Sequence, residues 1–168
     1  IRDRIWDMTS PDELEGVLAT VRDGLREHGV RFHGIAVQHF DRDRQTLHSY
    51  RYGTDTAGWS ITEDGRLLER IRRFVDEGVV AYRADLQADD VYDELPIVRD
   101  RWGQPIRSVL DVPTSAGTLA INSLEPKAFS DDNIELVSRV AAVLLEGLRR
   151  LRDLRDLEER SRQNEELA

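Results

Sequence analysis

Residues 131–168, "DDNIELVSRVAAVLLEGLRRLRDLRDLEERSRQNEELA", contain no proline and a single glycine, Gly147. Nothing in such a stretch ends a helix. Unbroken, it measures about 57 Å at 1.5 Å per residue, about twice the width of a small domain, so part of it has to project. The chain is therefore constrained to a compact body of roughly 140 residues with a rod leaving its end. Ser130 is placed to cap the rod, with Asp131 and Asp132 in a first turn where carboxylates suit the helix dipole.

The rod carries its own pattern. Val137, Val140, Leu144, Leu151 and Leu154 fit the a and d positions of a heptad, with Gly147 at the one position lacking a side chain. Leu145, Leu148, Leu151, Leu154 and Leu157 then step by three, after which Leu157, Ser161, Asn164 and Ala168 resume the four-three alternation. A shift of phase of this kind changes the winding of a coiled coil, and polar Ser161 and Asn164 at core positions fix register at a cost in stability. The expected partner is a second copy of the chain. The expected seam is Val137, Val140, Leu144, Leu151, Leu154, Leu157, Ser161 and Asn164.

Ahead of the rod, elements alternate. "TSPDELEGVLATVRDGLREHG" places Ser10 as N-cap, Pro11 at the first helical position and Glu13 to close a capping box, with Leu14, Val17, Leu18, Val21 and Leu25 on one stripe and Gly29 as the stop. Residues 31–41 and "TLHSYRYG" read as a β-hairpin about "DRDRQ", ended by Gly53. A second amphipathic helix is expected from Thr62 to Glu77, with Gly78 as its stop, and "VVAYRA" as a third strand. Residues 85–105, acidic and holding two prolines, read as a long loop with a weak helical pattern at Val91–Val98. "IRSVLDVP" and "GTLAINS" close the set as strands joined by a tight turn at Thr114–Gly117. Helices at both ends of an antiparallel sheet make an α+β layer.

Composition removes several function classes. A formal charge of −9 leaves no basic face to neutralise phosphates, so a nucleic-acid partner is not expected; residues 149–168 are themselves neutral. With no cysteine, disulfides, thiolate metal sites, cysteine nucleophiles and thioether-linked chromophores are all excluded. No apolar run approaches a membrane span and no signal pattern opens the chain, which reads as a cytoplasmic fragment whose Ile1 marks a cut within a longer polypeptide. His28, His33, His39 and His48 lack the accompanying carboxylates of a metal site and read as structural. Asp85, Asp89, Asp90, Asp93 and Glu94 lack calcium-loop spacing and read as a solvated loop. Neither a phosphate loop nor a nucleophile elbow is visible.

"SVLDVPTSAGTLAINSLEPKAFSDDNIELVSRVAAVLLEGL", residues 108–148, resembles the C-terminal half of a GAF domain: a strand ending in V-P, a hairpin, a strand, then F-S-x-x-D/N-I-x-L-V opening a long helix. "GIAVQHFDRDRQTLHSYRYG" and "GVVAYRAD" resemble that fold's earlier strands, so the likeness covers most of residues 9–148. It implies a five- or six-stranded antiparallel sheet with helices on one face and a ligand pocket under loops on the other. It also implies a sensory or regulatory module. Covalent bilin attachment and sulfoxide reduction, both met in that family, need the cysteine that is missing here, and Asn122 and Lys127 stand too far apart for the family's cyclic-nucleotide motif. No cofactor is evident, and two readings stay open: an unidentified small-molecule ligand in the pocket, or a ligand-free scaffold that only dimerises.

On this resemblance Trp59, Tyr82, Tyr92 and Trp102 fall at the loops roofing the pocket, where aromatic walls suit a small molecule. Arg107, Asp111 and Thr114 are the polar positions of the pocket-side strand, Arg107 being the expected anion partner. "LEERSRQNEELA" resembles the signalling helices that precede the phosphoacceptor helix of sensor histidine kinases, and also diguanylate cyclase and phosphatase outputs. The expected division is an upstream linker helix over residues 1–8, a GAF domain over 9–148 and a signalling helix over 149–168. The fragment itself is expected to be non-catalytic.

Overall fold

A computed structural model of the chain describes residues 13–41, 45–53, 57–62, 65–114 and 117–167. The expected linker helix, the caps at Ser10 and Pro11 and the middle of the Thr114–Gly117 turn lie outside the described residues.

Six strands form one antiparallel sheet in the order β3-β2-β1-β6-β5-β4: β1 Gly34–Asp41, β2 Thr46–Tyr52, β3 Ala57–Thr62, β4 Ala81–Arg83, β5 Ser108–Pro113 and β6 Gly117–Ser123. Among the described residues four helices accompany them: α1 Leu14–Glu27, α2 Gly65–Glu77, α3 Leu95–Trp102 and α4 Asp131–Leu167. This is the expected α+β layer with its long terminal helix. Two elements go beyond the expectation. β3 adds an edge strand, registered on β2 through Tyr50 and Trp59, and it takes up Thr62, so α2 starts at Gly65. α3 forms where only a weak helical pattern stood.

Strand alternation sorts the side chains onto two faces. Ile35, Val37, Tyr50, Leu110, Val112, Leu119 and Ile121 point to one face and are buried under the apolar stripes of α1 and α4. α1 packs on β2 and α4, and α4 lies on β5 and β6. Ser130 and Asn133 cap α4 reciprocally: the Asn133 N–H donates to Ser130 Oγ and the Ser130 N–H to Asn133 Oδ1, both at 3.2 Å. Gly78, at φ +63°, ends α2 as expected, its N–H donating to the Phe74 carbonyl. The other face carries α2 and α3, so the expected roof of loops is a roof of helices.

Under α1, burial and then the nearby Glu15 carboxylate push the Tyr50 phenol up to about 12. With a raised folded value, Tyr50 contributes its full stability below the unfolded phenol's pKa of about 10 and loses it as pH rises toward 12. Absorbance titration of the phenols is expected to show a late phase near 12 that Tyr50→Phe deletes.

Candidate functional site

The site lies on the sheet face under α2 and α3. Register places Gly34, Asn122, Val109 and Arg83 in one row across β1, β6, β5 and β4, and Ala36, Ala120, Asp111 and Ala81 in the next. Two alanines and a glycine make the middle of this floor shallow. Leu67, Arg70 and Ile71 of α2 and Ile97, Val98 and Trp102 of α3 close over it. The fit at Gly34 is tight, for a Cβ there would lie 2.8 Å from Trp102 Cη2 and closer still to Cζ3. What remains is a cavity of about 60 Å³, room for a few waters and well short of a drug-sized site.

Charge fills much of the rest. Arg83, from the short strand β4, is 3% exposed at its side chain. Its Nε donates to Glu94 Oε2 at 2.8 Å and its Nη2 to Glu94 Oε1 at 3.0 Å, a bidentate fork. Nη2 also donates to Asp111 Oδ2 at 2.6 Å, and Nη1 to the Ala81 carbonyl. The Phe74 and Tyr92 rings flank the guanidinium at 5.3 and 5.7 Å. Arg70 Nε approaches Glu94 Oε1 at 3.7 Å while its Nη2 donates to the Tyr92 carbonyl at 3.0 Å. Two cations and two carboxylates thus balance in a largely buried setting. Burial works against the Arg83 charge, but Asp111 and Glu94 more than restore it and raise its pKa. For Glu94 burial wins, lifting the carboxyl above its ordinary value against the pull of Arg83.

Polar floor residues extend the network. Thr118 Oγ1 lies 2.9 Å from Gln38 Oε1 and 3.2 Å from Asp111 Oδ1. The Gly34 N–H donates to Asn122 Oδ1 at 3.0 Å, which fixes the orientation of that amide. Asn122 is 4% exposed and lines the cavity, and its Nδ2 donates to no acceptor among the described residues.

The expected pocket residues scatter. Asp111 and Trp102 line the cavity, and Tyr92 adjoins it through its ring beside Arg83. Tyr82 sits on the opposite sheet face, where its Oη accepts the Phe129 N–H at 3.2 Å. Thr114 follows β5, bonded through its backbone to Gly117. Arg107 is not the pocket cation: its Nε and Nη2 clamp Asp85 at 3.0 and 2.5 Å outside the roof, holding that carboxyl below its ordinary range. The Trp59 side chain lies outside the described residues. The acidic segment is the expected loop, exposed at Asp89 and Asp93, but not all of its acids are solvated. Asp90 accepts the N–H groups of Glu94 and Leu95 at 2.7 and 3.0 Å, capping α3 from outside, and Glu94 turns inward. Among the described residues no group of three histidines or acids could hold a metal ion.

No family model matches the sequence, and no curated protein sequence matches it. Solved structures do. A methyl-accepting chemotaxis protein domain superposes with a TM-score of 0.68 at 16% identity, over 91% of this chain and 97% of that one. The GAF domain of a two-component sensor histidine kinase from Bacillus halodurans gives 0.63 at 18%, over 86% and 97%. Free methionine-R-sulfoxide reductase from Neisseria meningitidis, in complex with its substrate, gives 0.61 at 15%, over 91% and 86%. The chain has the GAF fold.

Proposed function

We propose that this chain is a sensory or regulatory GAF module that pairs with a second copy through the projecting half of α4 and passes a pocket or upstream event along that helix to an output. The observation that carries the reading is that every residue from Arg152 to Leu167 is exposed, Leu154, Leu157 and Leu167 among them. A helix this long and solvated is marginal alone, and its leucines need a partner.

Burial revises which residues can serve that partner. Val137, Val140, Leu144 and Leu151 are packed into the chain's own core, leaving little surface for a second copy. Reading back by threes and fours from Leu157 and Leu154 gives Arg150, Gly147, Val143, Val140 and Leu136. Leu136, Val143 and Arg150 are half-buried. Forward, the same phase gives Ser161 and Asn164. Val140 and Gly147 of this phase are themselves buried in the body, so the seam open to a partner runs from Leu154 through Leu157, Ser161 and Asn164 in a single phase, with Leu154 and Leu157 its strongest members.

The output class that suits "LEERSRQNEELA" best is a histidine kinase, with a diguanylate cyclase or phosphatase as the competing outputs. A second reading, a scaffold that dimerises without any ligand, is favoured by the small cavity. Sedimentation tests the common element. The chain is expected at dimer mass and its Leu154→Arg/Leu157→Arg variant at monomer mass; monomer mass for both removes the reading.

A further inference from the structure

The cavity has a fixed half and a detachable half. Arg83, Asp111 and Asn122 stand on three neighbouring strands of the sheet. Glu94 reaches in from outside the sheet, at the residue where the acidic segment becomes α3. Its carboxylate occupies the Arg83 fork as a bound anion would, with both oxygens paired. Beside it, the buried Asn122 Nδ2 faces the cavity with no acceptor among the described residues. Opening on the cavity, this donor is free to meet an oxygen there, whether of a water or of a ligand.

Charge selects the ligand class. Without Glu94 the cluster holds Arg83 and Arg70 against Asp111 alone, an excess of one positive charge, which a single carboxylate restores. A planar carboxylate fits the guanidinium fork as Glu94 does. A phosphate dianion would bring surplus negative charge against Asp111, which stays 4% exposed, and a cation would meet two arginines. Ala36 and Ala120 leave room for a short carbon chain, and Asn122 asks for a second oxygen on it.

We propose that this cavity is a binding site for a short-chain carboxylic acid with a second oxygen acceptor, and that Glu94 is the internal anion such a ligand displaces from Arg83. The proposal rests on reading the chain as a sensory module. Displacement swaps one carboxylate for another on Arg83, so no buried charge is left unpaired at the end of the exchange. It also releases the residue that leads into α3, whose Trp102 is seated on Gly34. Binding thereby becomes a change in the roof.

Titration of the ¹⁵N-labelled chain by NMR at fixed ionic strength tests this, with the monoanion succinamate, whose amide oxygen is the second acceptor, as probe and the neutral, isosteric succinamide as control. Saturable shifts at Ala36, Ala120, Asn122 and the Trp102 indole are expected from succinamate and none from succinamide. Glu94→Gln removes the competitor. If the displaced state is populated at about one part in ten or less, half-saturation falls about tenfold or more. Asn122→Asp keeps the Gly34 contact, puts a negative charge where the donor was, and raises half-saturation about as much. Three results overturn the proposal: no saturable succinamate shift in the wild-type chain, equal shifts from succinamide, or a folded Glu94→Gln chain with unchanged affinity. Should Glu94→Gln fail to fold, the wild type against Asn122→Asp decides. Dimer mass is read separately, so a dimer indifferent to succinamate removes the ligand class and leaves the pairing reading standing.

Discussion

Replacing Arg83 with leucine is expected to lower stability by about 3–5 kcal/mol, because it leaves buried Asp111 without a cation and buried Glu94 with only the longer Arg70 contact. Against a typical domain stability of about 5–15 kcal/mol, that is a large fraction of the whole. The urea midpoint should fall accordingly. The cause is checked by removing the whole cluster: Arg83→Met and Arg70→Met with Glu94→Met and Asp111→Leu leaves no charge stranded and should recover most of the loss. A quadruple variant as unstable as the single one would mean that Arg83 acts through packing against Phe74 and Tyr92 instead.

The second large effect concerns association. Burying a fully exposed leucine is worth about 1.5–3 kcal/mol; Leu154 is 49% exposed, so about half of that remains, and with two copies in a dimer it carries about 1.5–3 kcal/mol of pairing. Arginine at both Leu154 and Leu157 removes that gain and sets like charges across the seam. The dimer should weaken by at least two orders of magnitude, since each 1.4 kcal/mol is tenfold. Far-ultraviolet circular dichroism should keep the signal of the globular body, because both leucines lie beyond the last buried position, Leu151.

How much of this was legible in the sequence depended on the kind of signal. The stripes of α1 and α4, the glycine stop of α2 and the Ser130 cap are local patterns, and they placed those elements closely. β3 was not legible, since six residues including Gly58 owe their strand state to the edge of β2. α3 has a weak pattern because its Trp102 and Val98 pack beneath it while its start depends on Asp90, four residues ahead of Glu94.

The site was harder. Arg83 was missed although alternation within "AYR" sets it opposite Tyr82, so placing Tyr82 on the other face would have delivered Arg83 to the pocket. Arg107 was favoured because it precedes a pocket strand, yet its position before Ser108 puts it within reach of Asp85. Nothing local in "DDVYDELP" marks Glu94 as the one acid that turns inward. That follows from pairing with Arg83 eleven residues earlier, whose guanidinium is in turn held by Asp111 seventeen residues after Glu94, and no spacing rule encodes it. The rod gave its existence but not its phase, because only packing shows which leucines the body has already used.

The central claim is that an event at Arg83 and Glu94 reaches the paired ends of α4. A chain without cysteine allows a single spin label at exposed Gln163, introduced as Gln163→Cys, and dipolar spectroscopy then reads the separation between two copies. The account predicts one narrow distribution at about 20–30 Å, two helix diameters with the label arms, displaced when Glu94→Gln is added. Spins with no intermolecular coupling, or a distribution identical in the two proteins, would contradict it.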